Sequence, residues 1–298
     1  MVSERFRGVV VRFHGKMLVV KEELDGKHFD CDMPGRFKRT GIRPLVGDIV
    51  EFTIEAENKG HVQNILNRRN ELSRPKIANV DQVILVTTLV KPEVSYYIVD
   101  KFLVLAEYSD LPIIIILNKL DLITSKDQLN EFKDIYSDYY TVIPTSAKTG
   151  ENLNLLIETF RNKISTMAGV TGVGKSSLLN CLNPGLKLKT TELSQKLGRG
   201  KHTTTSSELL EFNFGGYVAD TPGFSTLELP DMEPEELQNY FVDIRAASEN
   251  CAFSDCSHID EPGCHVKDVL KDHSIKQSRY NSYIKLYNEL KKKPRKKR

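Results

Sequence analysis

The first 68 residues hold short β-rich runs separated by turn residues, including Gly15, Asp25-Gly26 and Asn58-Lys59-Gly60. Runs of this length predict strands, and glycine beside aspartate or asparagine marks the turns between them. The predicted strands cover residues 7–13, 16–21, 28–33, 48–55 and 61–66. Five short strands in so little chain predict a small closed β-barrel of the OB-fold type.

From about residue 80, apolar runs alternate with apolar stripes at helical spacing. Strands are predicted at residues 80–90, 113–117 and 141–144, and helical stripes at 94–105, 129–136 and 153–164. Ile164–Ala168 is only weakly apolar for a core strand. Strands that alternate with helices predict a mostly parallel sheet, with its ligand at the carboxyl ends of the strands.

Past residue 229 the pattern is helical. Pro234, followed by two glutamates, predicts the start of a helix that carries Leu237 and Ile244, and a final stripe runs from Tyr280 to Leu290. We therefore predict a multidomain chain: a barrel at residues 1–68, an α/β domain at 69–228 and a mainly helical module at 229–298.

A glycine-rich stretch before one predicted helix fits G-x-x-x-x-G-K-[ST], the P-loop. Its glycines let backbone N–H groups point at phosphate oxygens, and the helix N-terminus adds positive charge. We expect Lys175 to reach the β- and γ-phosphates and the Ser176 hydroxyl to bind Mg²⁺. The predicted loop comprises Gly169, Val170, Thr171, Gly172, Val173, Gly174, Lys175, Ser176 and Ser177.

Two further motifs, first Asn118-Lys-Leu-Asp121 and second Thr145-Ser-Ala-Lys148, predict a guanine pocket. A carboxylate at Asp121 can accept from both N1–H and the 2-amino group of guanine, a donor pair that adenine lacks, so it selects GTP and GDP. We expect Asn118 to brace this loop, the stem of Lys119 to cover the ring, and the Ala147 N–H to donate to guanine O6. The predicted base-binding residues are Asn118, Lys119, Leu120, Asp121, Ser146, Ala147 and Lys148.

A third motif, Asp220-Thr-Pro-Gly223, follows the short apolar run 217–219. Asp220 suits a water-mediated Mg²⁺ contact, and the Gly223 N–H suits the γ-phosphate. The motif order is unusual, because both guanine motifs precede the P-loop instead of following it. This order is a circular permutation, and the same sheet can still form because domain termini usually lie near each other.

Residues 197–205 combine glycine, charge and three consecutive threonines, which suits a switch loop that closes on Mg²⁺ and the γ-phosphate. Thr204 is the first choice of Mg²⁺ ligand, with Thr203 and Thr205 as alternatives. Phe224 stands near the position where Ras-like enzymes carry a water-orienting Gln. His202 is the nearest polar candidate for that task; the alternative is a loop histidine without a role.

Three cysteines and a histidine fall within fourteen residues: Cys251, Cys256, His258 and Cys264. This is the Cys₃His set of structural zinc, and it leaves no open position for catalysis. His265 could replace His258, and the alternative is a group of unrelated buried cysteines. Cys31 and Cys181 lie in strand and helix contexts that indicate core positions.

Composition limits the partners. Charged residues are 28% and hydrophobic residues 40% of the chain, and no apolar run approaches a membrane span. No signal peptide is evident, so we expect the protein to reside in the reducing cytosol. The net charge of +2 includes seven basic residues in 291–298, so any nucleic-acid surface must be local. One candidate is the loop with Arg36, Phe37, Lys38, Arg39 and Arg43; the alternative is a solvated basic loop.

A barrel, a permuted GTPase and a Cys₃His module in this order resemble the ribosome-small-subunit-dependent GTPase A (RsgA) family over essentially the full chain. The most specific parts are the motif order, the stretch 198–205 and the Cys/His spacing. Thr171 stands where the family more often has Ser.

The resemblance implies a bacterial, cytoplasmic, monomeric GTPase that assists late maturation of the small (30S) ribosomal subunit. It further implies rRNA binding by the barrel and zinc modules, GTP hydrolysis stimulated by the subunit, and a catalytic His202. Two hypotheses stay open: an enzyme whose hydrolysis times its release, or an RNA-binding assembly checkpoint in which GTP is mainly a conformational ligand. An ATPase is disfavoured by Asp121.

Overall fold

The structure, a computed structural model, describes residues 4–35, 37, 43–73, 75–186, 208–219 and 227–293. These residues form two compact units, each assembled from separate chain segments. The first unit consists of Met1–Gln82, Asn154–Met167 and Ser176–Gly223; the second consists of Val83–Leu153, Ala168–Lys175 and Phe224–Arg298. The P-loop up to Lys175 therefore shares a unit with both guanine motifs.

The elements follow one another along the described chain. The strands are β1 (Phe6–His14), β2 (Met17–Glu22), β3 (His28–Asp32), β4 (Ile49–Ala56), β5 (Lys59–Ile65), β6 (Glu71–Ser73), β7 (Lys76–Ala78), β8 (Gln82–Thr87), β9 (Ile113–Leu117), β10 (Thr141–Pro144), β11 (Ile164–Ala168), β12 (Leu209–Glu211) and β13 (Tyr217–Ala219). The α-helices are α1 (Tyr96–Tyr108), α2 (Lys126–Tyr136), α3 (Leu153–Phe160), α4 (Lys175–Leu182), α5 (Val242–Ser248), α6 (His265–Lys271) and α7 (Gln277–Lys292). Single 3₁₀ helices cover Leu120–Leu122, Pro184–Leu186 and Pro234–Tyr240.

The first five strands close into a barrel in the order β1-β2-β3-β5-β4. The antiparallel pairing of β1 with β4 closes it, and β3 pairs with β5 in parallel. Its interior is filled by apolar side chains, including Leu18, Phe29 and Phe52. The predicted five-stranded barrel is confirmed.

Phe37 is 6% exposed and packs in this barrel core. The aromatic side chain of the predicted RNA-binding loop is therefore not available at the surface, since it removes its apolar area from water inside the barrel. Arg36, Lys38 and Arg39 lie outside the described residues, and the Arg43 carbonyl accepts from Arg68 Nη2 at 2.7 Å.

In the segment after the barrel, β6 and β7 pair in antiparallel fashion. Asn79 is buried; its Nδ2 donates to the Gly47 carbonyl and its Oδ1 accepts from Arg69 N–H, both at 2.9 Å. Asp81 accepts from Arg69 Nη1 and from Ile164 N–H, both at 2.7 Å. Hydrogen bonds therefore hold the chain segment that follows the barrel in place.

In the first unit β11 pairs in parallel with β13, and β13 pairs with β12 in antiparallel fashion. Ile164 begins β11, so its place in the preceding helical stripe was wrong. All five residues of β11 are buried despite its polar composition. Ser165 is tolerated there because its Oγ accepts from Gln82 Nε2 at 3.0 Å.

In the second unit the parallel strands lie in the order β10-β9-β8. The buried strand β8 is shorter than the predicted 80–90. Both guanine motifs follow the carboxyl ends of their strands, Asn118 after β9 and Thr145 after β10. This placement brings the two loops to one edge of the sheet, ahead of the P-loop in the chain.

The C-terminal helices pack around a core that includes Leu237, Phe241, Tyr283 and Leu286. The helix predicted from Pro234 is interrupted, because Phe241 adopts extended dihedrals between the 3₁₀ helix and α5. The final predicted helix is α7. Among the helices that the structure describes, none is both long enough and apolar enough to cross a membrane.

Candidate nucleotide-binding site and metal centre

The P-loop runs from the end of β11 to the start of α4, and its glycines are held close to other backbone. Gly169 has φ of +127° and Gly174 has φ of +98°, a region that favours glycine. A Cβ on Gly169 would lie 2.1 Å from the Val86 carbonyl oxygen, and one on Gly174 would lie 2.3 Å from Asn118 Nδ2. The motif therefore needs glycine for space as well as for conformation.

Lys175 begins α4, and its ammonium folds back across the loop. Nζ donates to the carbonyl oxygens of Gly169 at 2.6 Å and Val170 at 3.0 Å. Burial lowers the pKa of Lys175 from its usual 10.5 to about 8. The two carbonyl oxygens hold the ammonium over the P-loop, where a phosphate oxygen would be a stronger partner than a carbonyl.

The rest of the predicted loop differs in accessibility. Thr171 and Gly172 are exposed, Val173 is 1% exposed, and Ser176 is 7% exposed at the second position of α4. Ser177 is half-buried, and α4 buries Leu178, Leu179 and Leu182 as its spacing indicated. Cys181, on the same helix, is exposed, so its expected core position was wrong.

Asn118 joins three loops. It is 1% exposed, its Nδ2 donates to the Val173 carbonyl at 2.8 Å, and its Oδ1 accepts from Ala147 N–H at 3.2 Å. The amide therefore links the first guanine motif to the P-loop on one side and to the second guanine motif on the other. The guanine and phosphate loops are already assembled through this one side chain.

Lys119 lies in the left-handed region with φ of +66°. Its Nζ donates to the Gly172 carbonyl at 2.6 Å and also to the Lys91 carbonyl. Sequence reasoning missed Lys91, because nothing in its local pattern marks a contact with a lysine 28 positions away. The ammonium of Lys119 thus links the first guanine motif to the P-loop.

Asp121 follows Leu120 in the short 3₁₀ helix, and its side chain is 13% exposed. Oδ1 accepts from the Ser146 hydroxyl at 2.6 Å, and Oδ2 lies 3.9 Å from Lys148 Nζ. Leu120 N–H donates to the Thr145 carbonyl at 2.9 Å. The carboxylate is consequently oriented by the second guanine motif.

A cavity of about 180 Å³ lies beside the P-loop within the second unit. The end of β8, the first turns of α1 and the P-loop form its walls. Its lining residues are Leu85, Val86, Thr87, Thr88, Pro92, Glu93, Ser95, Ile98, Val99, Phe102, Gly169, Val170 and Val173. No local sequence pattern predicts this cavity, since α1 is distant from the P-loop along the chain.

The remaining predicted nucleotide residues lie outside the described ranges. They are His202, Thr203, Thr204, Thr205, Asp220 and Gly223, together with Phe224. Their assigned roles stay predictions.

The four predicted metal ligands come together in the C-terminal module. Their ligand atoms all lie within 4.8 Å of one another, and His258 Nδ1 lies 3.6 Å from the Sγ atoms of Cys251 and Cys264. Nε2 of His258 hydrogen-bonds Gln238 Oε1 at 2.8 Å, so Nε2 donates and Nδ1 is left to coordinate. Gln238 is a supporting residue that motif spacing did not identify.

Burial favours the uncharged forms of Cys256, Cys264 and His258 in this cluster. Burial raises the pKa of Cys256 to about 12 and also raises that of Cys264, while it lowers the pKa of His258. Neutral imidazole is the form that coordinates a metal, and the thiols ligate once they lose their protons. The donor set fits tetrahedral zinc. His265 begins α6 and is not a member of this group.

A family model described as RsgA GTPase matches residues 65–230, and one described as RsgA N-terminal domain matches residues 7–62. The chain belongs to the RsgA GTPase family. Small ribosomal subunit biogenesis GTPase RsgA of Thermotoga petrophila is 50% identical over 97% of this chain and 98% of its own. The protein of the same name from Bacillus subtilis is 44% identical over 96% of this chain and 98% of its own.

Solved structures agree with this membership. The crystal structure of YjeQ from Thermotoga maritima has a TM-score of 0.87 and 47% identity, and covers 98% of this chain and 100% of its own. The crystal structure of YloQ, described as a circularly permuted GTPase, has a TM-score of 0.82 and 38% identity, with 98% of each chain covered. The protein is therefore a GTP-hydrolysing enzyme of the permuted class.

Proposed function

We propose that this GTPase binds the small (30S) ribosomal subunit through its rRNA and assists the late maturation of that subunit. Hydrolysis of GTP, stimulated by the subunit, times release of the protein. The observation that carries the proposal is the similarity, over nearly the whole chain, to curated small ribosomal subunit biogenesis GTPases. We propose a cytoplasmic monomer with boundaries near residues 68 and 228, in which the barrel and the metal module contact RNA.

Guanine selection falls to Asp121. Its carboxylate, oriented by the Ser146 hydroxyl, accepts from N1–H and the 2-amino group of the base. Asn118 holds the surrounding loops, the stem of Lys119 covers the ring, and the Ala147 N–H turns to guanine O6. Adenine offers no matching donor pair, so the carboxylate would be left unpaired beside ATP.

Phosphate binding falls to the P-loop. Backbone N–H groups between Gly169 and Gly174 face the phosphate oxygens, and Lys175 exchanges its two carbonyl partners for the β- and γ-phosphates. Ser176 and Thr204 would hold Mg²⁺, and Asp220 would contact it through a water molecule. Once bound, Mg²⁺ would neutralise charge that develops on the phosphate oxygens.

Hydrolysis needs a group that orients the attacking water, and Phe224 supplies none. We assign this role to His202, which the bound subunit would place beside the water by closing the loop 200–205. Free protein would then be a slow enzyme. The Gly223 N–H would sense the γ-phosphate.

The structure of the C-terminal module supports a link between the switch and that module. Leu229, a few residues past the predicted switch, is 4% exposed in the C-terminal core. Lys293 Nζ donates to the Leu229 carbonyl at 2.8 Å. A change at Gly223 therefore has a short path to the module that would carry one zinc ion on Cys251, Cys256, His258 and Cys264.

The second candidate function is an RNA-binding assembly checkpoint in which GTP is mainly a conformational ligand. The anchoring of Leu229 favours it to the same degree, because that contact would serve a binding switch as well as a hydrolytic one. The two candidates differ in turnover on the subunit.

The experiment measures steady-state GTP turnover by the protein alone, by the protein with small ribosomal subunits, and by the protein with large ribosomal subunits. We expect stimulation by small subunits only, and tighter subunit binding with a non-hydrolysable GTP analogue than with GDP. His202→Ala should lose most of the stimulated turnover while still binding GTP and the subunit. His273→Ala, which changes an exposed histidine after α6, is the matched control.

Absence of stimulation by small subunits, with nucleotide-dependent binding retained, would favour the checkpoint function. Equal binding of the analogue and GDP forms would contradict both functions. Full stimulated turnover in His202→Ala would remove the assigned role of that residue.

A further inference from the structure

Helix α1 presents two faces to different parts of the second unit. One face contacts the C-terminal helices. Its residues, which recur at helical spacing, are Tyr97, Asp100, Lys101 and Val104. Ser95, Ile98, Val99 and Phe102 lie on the opposite side and line the cavity beside the P-loop. Helix α1 therefore lies between the C-terminal helices and the cavity beside the P-loop.

The first face is held by a buried guanidinium. Arg279 on α7 is 1% exposed, and its Nη1 donates to Asp100 Oδ1 at 2.7 Å. Its Nε and Nη2 donate to the two carboxylate oxygens of Asp243 at 3.0 and 2.8 Å. The guanidinium carbon lies 4.7 Å from the centre of the Phe241 ring, and Asp100 also accepts from the Tyr136 hydroxyl at 2.9 Å.

Nothing in GTP binding or hydrolysis uses this cluster. Burial works to lower the pKa of Arg279, but the carboxylates of Asp100 and Asp243 raise it overall, so the guanidinium stays charged. Buried ion groups are often no more stabilising than apolar residues of the same volume. The planar guanidinium of Arg279, whose donors point in fixed directions, does set the angle between the elements that it joins.

The second face of α1 has less support. Ile98, Val99 and Phe102 border the cavity of about 180 Å³, which is partly open to solvent, so among the described residues less protein packs against this face. Its far wall contains Gly169, Val170 and Val173 of the P-loop. A shift of α1 towards that space would therefore meet the phosphate loop.

We propose that Arg279 is a positioning residue for the nucleotide site. It fixes the rotation and depth of α1 through Asp100, and α1 in turn forms the side of the cavity that lies across from the P-loop. When the guanidinium is removed, apolar contacts still hold α1, but the helix can move into the cavity and loosen Gly169 and Val170. Nucleotide retention then depends on a residue of the C-terminal module that touches no nucleotide.

The test measures dissociation of a fluorescent GDP analogue from the full-length protein, with wild-type binding established first. Arg279→Met should release the analogue at least about five times faster. Glu289→Gln is the matched control: Glu289 joins the same two helices through Lys101 and Tyr97, at 2.5 Å each, but its side chain is 41% exposed. It should change the rate by less than about twofold.

A filling substitution separates positioning from general destabilisation. Val99→Ile adds a methyl group on the cavity side of α1, so in the Arg279→Met background it should restore at least half of the lost retention. The unfolding midpoint, recorded for every variant, need not recover with it. Rescue of GDP retention by a change in the cavity is not expected if Arg279 only stabilises the C-terminal core.

Unchanged GDP dissociation in a folded Arg279→Met protein would overturn the proposal, as would an equal effect of Glu289→Gln. If Arg279→Met does not fold, Asp100→Asn replaces it, because this change keeps the shape and removes one charge of the cluster. That variant should release GDP about two to three times faster, and an unaltered rate would equally overturn the proposal. The test uses isolated protein, so its outcome is independent of any ribosomal role.

Discussion

The nucleotide loops and the metal cluster are both polar sites, but they are held in opposite ways. Asn118 uses its donor and its acceptor on neighbouring loops, and Lys119 and Asp121 also have protein partners. In the metal cluster, by contrast, three thiols and an imidazole face one another, and burial raises the pKa of Cys256. The first site is preassembled by hydrogen bonds, whereas the buried thiols of the second must lose protons before they can bind a cation.

The largest expected effect comes from removing a metal ligand. Cys256→Ser should lose the zinc and unfold the C-terminal module, because structural zinc contributes about 10–16 kcal/mol in zinc-finger peptides. Metal analysis should find about one zinc per wild-type chain and almost none in the variant. Limited proteolysis should cut the C-terminal module of the variant first.

Cys181→Ser is the control for that experiment, since Cys181 is exposed on α4 and lies outside the cluster. It should keep its zinc and its protease resistance. Full zinc content in Cys256→Ser would show that the cluster is not the metal site.

The second effect concerns base choice. GTP and GDP should bind far more tightly than ATP, because a site that hydrogen-bonds polar groups rejects analogues lacking them by about 10⁴-fold or more. Asp121→Asn should shift preference towards xanthine nucleotides, since its amide donates where guanine also donates. Competition binding with GDP, ADP and xanthosine diphosphate measures this, and equal GTP and ATP affinity in the wild type would contradict the role of Asp121.

Local patterns explain which parts could be predicted. The barrel strands and the nucleotide motifs are continuous stretches whose spacing carries their structure. The Arg279–Asp100 contact joins residues 179 positions apart, so no local pattern could reveal it. The same limit explains Phe37 and the break at Phe241, whose burial depends on packing partners elsewhere in the chain.

The third prediction tests how tightly the nucleotide loops are assembled. Gly174→Ala combines a strained φ with a Cβ only 2.3 Å from Asn118 Nδ2, so it should separate the P-loop from the guanine loop. Gly172→Ala has a similar φ, but its Cβ would meet only Pro92 Cδ at 3.7 Å. Strain alone costs about 1–3 kcal/mol.

GDP affinity should therefore fall by about tenfold or more for Gly174→Ala and clearly less for Gly172→Ala. Both proteins should keep their zinc, since neither residue contacts the metal cluster. Equal losses of GDP affinity would mean that the contact with Asn118 is unimportant.

The smallest effect is one of pH. In the free protein the pKa of Lys175 is lowered to about 8 by burial, whereas the unfolded side chain titrates near 10.5. Between these values the folded protein binds fewer protons than the unfolded chain, so this group adds stability as pH rises through that window.

Phosphates favour the charged ammonium, so GDP binding above pH 8 should take up a proton and weaken as pH rises. Calorimetry of GDP binding at pH 8.5 in buffers of different ionisation enthalpy measures this uptake, with Lys175→Met as the control that should lack it. If wild-type binding takes up no proton, burial does not hold this lysine partly neutral.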